Sequence, residues 1–336
     1  MRVLKPPLLL SFPNILIVSE VPLGAPNGFG VTLKNLFAGW PRETIRYFYN
    51  RADYRDLPKA DLDFRYAPVP NSPGRRHAIP KWLGITPEWR GRYSKAWLRR
   101  NLRGFNPDLV FSSVHSMSTI LFANWIAQQT GRPHVLHIMD EPFKHAEPAE
   151  VKSLLQRTRG FLTISETMRS TYRKRYGHDS QVFHNGAEEE FFNPPPRQTT
   201  SKDSPIRIRF IGNLLHLQHF QAIEDIATAV RQHNRTNKRP ASLEIFGGEY
   251  PEGCSEEILH PDEVTYHGRI DLVERISTIA EADLLAIPFT FNPGYFEEYR
   301  LSIPTKLPEN LATGIPVLMY GPKGMAATDF CLRHDL

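Results

Sequence analysis

In the stretch SIPTKLPENLATG, Lys306 and Glu309 stand one helical turn apart at the mouth of a short helix that runs into an apolar strand. A cation and a carboxylate so placed admit two readings. They are an exposed i,i+3 ion pair worth about 0.3 kcal/mol, or they are two grips on one ligand. In the second reading the N–H groups of the helix start and Lys306 hold a diphosphate, while Glu309 accepts both hydroxyls of a ribose. Pro304 restricts the residue before it, and Thr305 stands where a helix N-cap is expected. Pro308 is compatible with a first turn, where no N–H is needed.

Other groupings carry less chemistry. HIMDEPFKH offers His137, Asp140, Glu141 and His145, at a spacing that fits no zinc pattern. Asp140, at a strand end, reads instead as lining the acceptor side of a cleft. The acidic run Asp61–Asp63 follows LPKA rather than a buried strand and is not read as a metal site. In ISET, Ser165 is placed to cap a helix. No Ser-His-Asp or Cys-His signature points to a hydrolase. The two cysteines, Cys254 and Cys331, lie far apart, against a disulfide scaffold or zinc site and in keeping with a reducing compartment.

These residues need elements to position them. NILIVSE (14–20) is a short apolar run of the kind found in covered parallel sheets. The glycine-rich turn Gly24–Gly30 follows it and leads to a helix whose Val31, Leu33, Leu36 and Phe37 face inward. This is a strand, glycine loop and helix of nucleotide-binding type, though the spacing is not G-x-G-x-x-G. DLVFSSVH, PHVLHIMDEP and GFLTISETM continue the alternation of strand and helix, which implies parallel βαβ architecture. The polar PPPRQTTSKDSP (194–205) reads as a linker between a first domain, 1–193, and a second, 206–336. There the pattern restarts with IRIRFIGN, a strand ending in Gly212, and a helix with Ile223, Ile226, Ala227 and Val230 on one face. SLEIFGG, VTYHG and ADLLAIPF complete a second α/β unit. Two such halves facing one another leave a cleft, a favoured ligand location.

The 336 residues, 40% hydrophobic and 23% charged, suit two soluble domains. No stretch approaches the roughly 20 apolar residues of a membrane span, and the N-terminal run lacks the features of a signal peptide. The expected location is the cytoplasm. The net charge of +5 is unevenly spread: nine Lys and Arg lie between Gly74 and Phe105 against Glu88 alone, interleaved with Trp82, Trp89, Tyr93 and Trp97. That segment is either a solvated helix with its tryptophans on the core, or a surface for anionic lipid. No nucleic-acid-binding signature is present.

The order glycine loop, PDLVFSSVH, TISETM, HNG, FIGN, ADLLAIPF and PTKLPENLATGIPVL resembles the retaining GT-B glycosyltransferases of family 4, over nearly the whole chain. The resemblance implies two Rossmann-like domains, with a nucleotide-diphosphate-sugar donor on the second and a hydroxyl acceptor, a glycan or lipid-linked glycan, on the first. It implies no metal or other cofactor. Glu309 matches the ribose-binding glutamate, Gly28 and Gly30 the loop near the donor phosphates, and His115 a histidine facing the transferred sugar. Asp140 is the second catalytic candidate, and Gly212, Asn213, Arg300, Thr305 and Lys306 join the donor side. The family usually carries an arginine and a lysine where this chain has Asn213 and Gln218, and a second glutamate where it has Leu301. Lys306 and Arg300 are expected to supply the missing positive charge. The chain stops at FCLRHDL, ahead of where the family normally ends, so the second domain is expected to be short. A non-catalytic nucleotide-sugar-binding protein and a sugar-nucleotide epimerase of similar architecture stand as alternatives.

Overall fold

The computed structural model describes residues 12–25, 27–50, 63–66, 95–114, 116–144, 146–196, 204–248 and 264–336. The chain divides into two compact units between Phe183 and His184.

The first unit runs β1 (Ile15–Ser19), α1 (Gly28–Leu36), β2 (Ile45–Tyr49), β3 (Asp63–Tyr66), α2 (Lys95–Asn101), β4 (Leu109–Ser113), α3 (Met117–Thr130), β5 (His134–Ile138), α4 (Pro148–Leu155), β6 (Gly160–Thr163), α5 (Glu166–Tyr176) and β7 (Gln181–Val182). The strands form one parallel sheet in the order β3-β2-β1-β4-β5-β6-β7. β1 lies in its interior, with Ile15 opposite both Ile45 and Leu109. All five residues of β1 are buried, as a strand covered on both faces requires. β2 and β3 come in addition to the strands the sequence announces. The β2 segment IRYFY carries arginine and tyrosines, so its apolar run is masked, yet Tyr47 and Phe48 are fully buried.

Helix starts follow local chemistry. Ser165 accepts from the Met168 N–H (3.0 Å), the expected N-cap of α5, and Gly177 ends that helix at a positive φ of 65°. In α1, Leu33 and Phe37 are buried as expected, while Val31 and Leu36 are half-buried and Phe29 takes an inward place. Of the basic, tryptophan-bearing segment, residues 74–94 lie outside the described residues. In α2 its end follows the plainer reading: Trp97 packs on Phe48 (5.6 Å) and Phe122 (6.2 Å), while Lys95, Arg99 and Arg100 are exposed.

The second unit contains β8 (Ile206–Ile211), α6 (His216–Thr236), β9 (Ala241–Phe246), β10 (Val264–Gly268), α7 (Leu272–Ala280), β11 (Leu284–Pro288), α8 (Pro293–Tyr299), α9 (Lys306–Ala312), β12 (Val317–Tyr320) and α10 (Ala326–Arg333). Its parallel sheet has the order β10-β9-β8-β11-β12. Ile223, Ile226, Ala227 and Val230 of α6 pack with Phe210, Leu243 and Ile245, as their periodicity implies. The polypeptide enters this unit ahead of the Pro194–Pro205 segment. Phe191, in a single 3₁₀ turn (Glu189–Phe192), is buried among Ile211, Phe246, Ile279 and Leu285, which ties the preceding residues to the second sheet.

Two buried histidines mark the first unit. His134 Nε2 meets Ser112 Oγ at 2.7 Å and its Nδ1 meets Asn124 Oδ1 at 2.6 Å. The line resembles a nucleophile, base and orienting amide, but all three residues are sealed in the core, so it is a structural chain. His137 Nδ1 meets Ser113 Oγ at 3.2 Å. Burial lowers His134 from 6.5 to about 3 and His137 to about 4. Both are neutral in the native state, whereas the unfolded chain takes up protons once the pH falls below about 6.5. Stability is therefore full above that pH and is lost as the pH falls toward the folded values. Urea titrations of the protein at pH 7.5 and pH 5 are expected to show a loss of about 2 kcal/mol per histidine, reduced when both are replaced by glutamine.

Candidate functional site

The second sheet reverses its winding between β8 and β11, and in open parallel sheets the crevice beyond such strand ends is the usual ligand position. β8 ends there in Gly212, whose φ of +141° suits glycine. The missing side chain has a second use. A Cβ at this point would overlap the stem of Lys306 and lie 2.5 Å from its Nζ. Lys306, the first residue of α9, thus lays its ammonium beside the Gly212 backbone and over the Phe210 ring, 4.4 Å from its centroid. Burial of the ammonium, assisted by the charge of Arg275 and opposed by Glu309, lowers its pKa to about 8.

Glu309, one turn further along α9, is buried. Its Oε2 accepts from Arg275 of α7, and the Arg275 guanidinium lies 5.6 Å from the Phe191 ring centroid. Burial raises the Glu309 pKa, and Arg275 opposes the rise. Lys306 and Glu309 therefore share a turn without forming a mutual ion pair: one turns to Gly212, the other to Arg275. His219, in the first turns of α6, shares Phe210 with Lys306 at a ring distance of 5.2 Å. Its Nδ1 accepts from the Leu215 N–H (3.0 Å), which places the ring hydrogen on Nε2. Burial, then the charge of Lys306, holds its pKa well below the usual histidine value, so the ring is neutral.

Gly212, Lys306 and Glu309 are thus brought to one place, and Arg275 and His219, two residues that the sequence did not mark, join them. Thr305 does not cap α9. It has helical backbone angles (φ −59°, ψ −25°) and its side chain makes no capping bond, because the chain is already turning from Pro304, whose carbonyl accepts from the Leu307 N–H (3.0 Å). Arg300, at the end of α8, meets Glu297 at 3.2 Å, and the cation that Lys306 feels is Arg275. Asn213 is exposed at the strand end, and Leu301 is buried.

In the first unit Gly28 and Gly30 belong to the first turn of α1 rather than to the loop before it. Asn27 caps that turn, its Oδ1 accepting from the Gly30 N–H at 2.9 Å. A Cβ on Gly30 would sit 2.5 Å from the Ala25 backbone nitrogen, so this glycine makes room for its own loop. Gly28 is exposed. His115 lies outside the described residues. Beside it, Ser116 donates from N (3.0 Å) and Oγ (2.8 Å) to Glu20, a buried carboxylate at the end of β1 that closes the start of α3. The E of NILIVSE, the one charge in an apolar run, was its sequence signal. Asp140 is exposed just beyond β5, while Glu141 turns inward to accept from the Phe143 N–H and the Tyr172 hydroxyl, each at 3.0 Å. Among the described residues no group of three metal-capable side chains converges; His145 lies outside them.

Two parallel α/β units in this order define the GT-B fold, and solved structures carry the same arrangement at low identity. HepE of Anabaena, solved in complex with UDP and glucose, superposes with a TM-score of 0.58 at 12% identity, covering 96% of this chain and 91% of that one. A sucrose-phosphate synthase from Thermosynechococcus elongatus gives 0.57 at 14%, covering 91% and 81%. A UDP-forming α,α-trehalose-phosphate synthase from Burkholderia vietnamiensis gives 0.54 at 13%, covering 94% and 86%. No curated protein matches by sequence. Residues 26–191 match the model of Glycosyltransferase Family 4. The chain has the GT-B fold, and about half of it, residues 26–191, is similar to that family.

The packing of Lys306 on Gly212 has a measurable consequence. Gly212→Ala is expected to cost about 2 kcal/mol in a thermal or urea titration, from overlap and from a backbone angle that L residues rarely adopt. Part of that loss should return in Gly212→Ala/Lys306→Ala, which vacates the space; strict additivity would show that the two residues do not share it.

Proposed function

We propose that the protein transfers a sugar from a nucleotide-diphosphate-sugar to a hydroxyl acceptor with retention of anomeric configuration, in polysaccharide or glycolipid synthesis. The observation that carries this reading is the pair of Lys306 and Glu309 on the first turn of α9, the ammonium at the end of β8 against a residue that only glycine could supply and the carboxylate buried one turn on. A desolvated cation in contact with backbone suits a diphosphate, and a buried carboxylate suits vicinal hydroxyls. The similarity of residues 26–191 to that family, and the structures of HepE in complex with UDP and with UDP-glucose, support the same donor class.

As the sugar–oxygen bond breaks, negative charge grows on the leaving diphosphate, and Lys306 stands where it stabilises that charge without assigning a part to metal. No side chain is assigned as a covalent nucleophile. The departing phosphate oxygen takes the acceptor proton on the face from which it leaves. In this scheme His115 faces the transferred sugar and Asp140 orients the acceptor hydroxyl. No helix among the described residues is long and apolar enough to cross a membrane. We assign the protein to the cytoplasm, with peripheral contact to an anionic membrane through the basic segment 74–105.

Incubation with a panel of radiolabelled nucleotide-sugars tests the reading. Slow release of nucleotide and free sugar supports transfer, an epimerised donor would make the protein an isomerase, and binding without turnover would make it a carrier. Lys306→Ala is expected to weaken nucleoside-diphosphate binding by about ten-fold or more, the size of a lost charge-assisted hydrogen bond. Unchanged affinity and turnover would remove Lys306 from the site. Co-sedimentation with vesicles should rise with anionic lipid and fall with salt.

A further inference from the structure

Glu309 has a cation from its own helix within one turn, yet its partner comes from elsewhere. The closest approach to its Oε2 is made by Arg275 of α7, whose side chain is 21% exposed while that of Glu309 is 3% exposed. α7 is fixed to the sheet by Ile279, fully buried in the cluster around Phe246 and Leu285. Phe191 of the segment leading into the second unit lies under the guanidinium and belongs to that same cluster. Arg275 is thus held by its helix and by a ring before it meets the carboxylate.

We propose that Arg275 is a positioning residue that keeps the Lys306 and Glu309 charges apart, tying Oε2 of Glu309 so that Oε1 faces a ribose and Lys306 stays on the Gly212 side for phosphate. This deepens the proposed function and rests on it. The physical reason lies in the i,i+3 spacing. Oppositely charged residues three apart on a helix attract one another, and in a buried setting the attraction is stronger than at a surface. Without a competitor for the carboxylate, the Lys306 ammonium is drawn from Phe210 toward Glu309, and both groups are spent on each other. With Arg275 bound to one oxygen, the carboxylate keeps its orientation, and the guanidinium opposes the rise that burial imposes on its pKa. It can then accept from hydroxyls, and the lysine charge remains available. Arg275 touches neither the diphosphate nor the sugar in this arrangement; it acts through Glu309.

The sequence around it explains why the role is easy to overlook. In LVERISTIA the apolar positions Ile276 and Ile279 account for the helix, and Arg275 reads as one more charge on its outer face. Only the fold shows that this position looks toward α9.

The test is a calorimetric titration of the full chain with UDP, GDP and ADP and with their 2′,3′-dideoxy counterparts, on wild type, Arg275→Gln, Arg275→Lys and Phe191→Leu. The wild type is expected to prefer at least one ribonucleotide over its dideoxy form by about ten-fold or more, the value of hydrogen bonds to a charged acceptor. Arg275→Gln should compress that ratio to within about two-fold and weaken both ligands, Arg275→Lys should restore most of it, and Phe191→Leu should give an intermediate ratio. If none of the three nucleotides binds the wild type, or none is distinguished from its dideoxy form, the nucleotide reading of Glu309 falls and this inference falls with it. If the wild type discriminates and Arg275→Gln discriminates equally, the donor reading stands and the role of Arg275 is overturned. Should Arg275→Gln fail to fold, judged by circular dichroism, Phe191→Leu decides: an undiminished ratio there overturns the proposal.

Discussion

An ammonium removed from water must be compensated or it gives up its proton, and the second unit is arranged around that constraint. Lys306 is not handed to the carboxylate on its own helix. It lies over Phe210, whose ring face returns part of the lost hydration, and in space that Gly212 leaves empty. The compensation is incomplete, since the pKa falls to about 8, close enough to neutral that the group remains mostly protonated. A cation in that condition gains more from an arriving anion than a hydrated surface lysine does, because its desolvation has already occurred in folding. The same constraint accounts for the neutral His219 beside it: a second positive charge on Phe210 would compete with the first.

The two units use one architecture differently. Both sheets are parallel, with their strands joined by crossover connections. In the first, the described polar groups are closed upon one another. Glu20 is engaged by Ser116, His134 by Ser112 and Asn124, and Glu141 by Phe143 and Tyr172. Such groups fix the helices and loops in place. In the second, Arg207 and Arg209 of β8 are paired with Glu281 and Glu244, while Lys306 rests on Gly212 and Phe210 and Glu309 is held by Arg275.

The alternation of elements was legible because buried parallel strands and amphipathic helices leave unambiguous periodicities: β1, β4, β8 and α6 lie where their patterns place them. β2 was not legible, because arginine and tyrosines in IRYFY hide a buried strand behind polar letters. At the site, Lys306, Glu309 and Gly212 could be picked out by type and spacing. Their mutual arrangement could not, since Gly212 and Lys306 are distant in sequence and meet only when β8 and α9 are packed. Thr305 misled for a related reason. Residue type favours a cap, but capping needs extended backbone, and the turn from Pro304 had already made it helical. Arg275 and His219 were hidden because each sits in a helix whose apolar residues suffice to explain it.

The resemblance to family 4 breaks where the family places cations, since Asn213 and Gln218 stand at those positions. Electrostatic stabilisation depends on where a charge lies and how well it is desolvated, not on which strand or helix delivers it. Gly212 immediately precedes Asn213, and the Lys306 ammonium lies beside Gly212. A positive charge carried by α9 thus lies beside Gly212, one residue before Asn213. A substitution of this kind is self-consistent only as a set. The glycine must admit the lysine, the ring must face it, and the neighbouring carboxylate must be kept from it by a third charge. In the chain Gly212 leaves the space that Lys306 fills, the Phe210 ring faces the ammonium, and Arg275 holds the carboxylate.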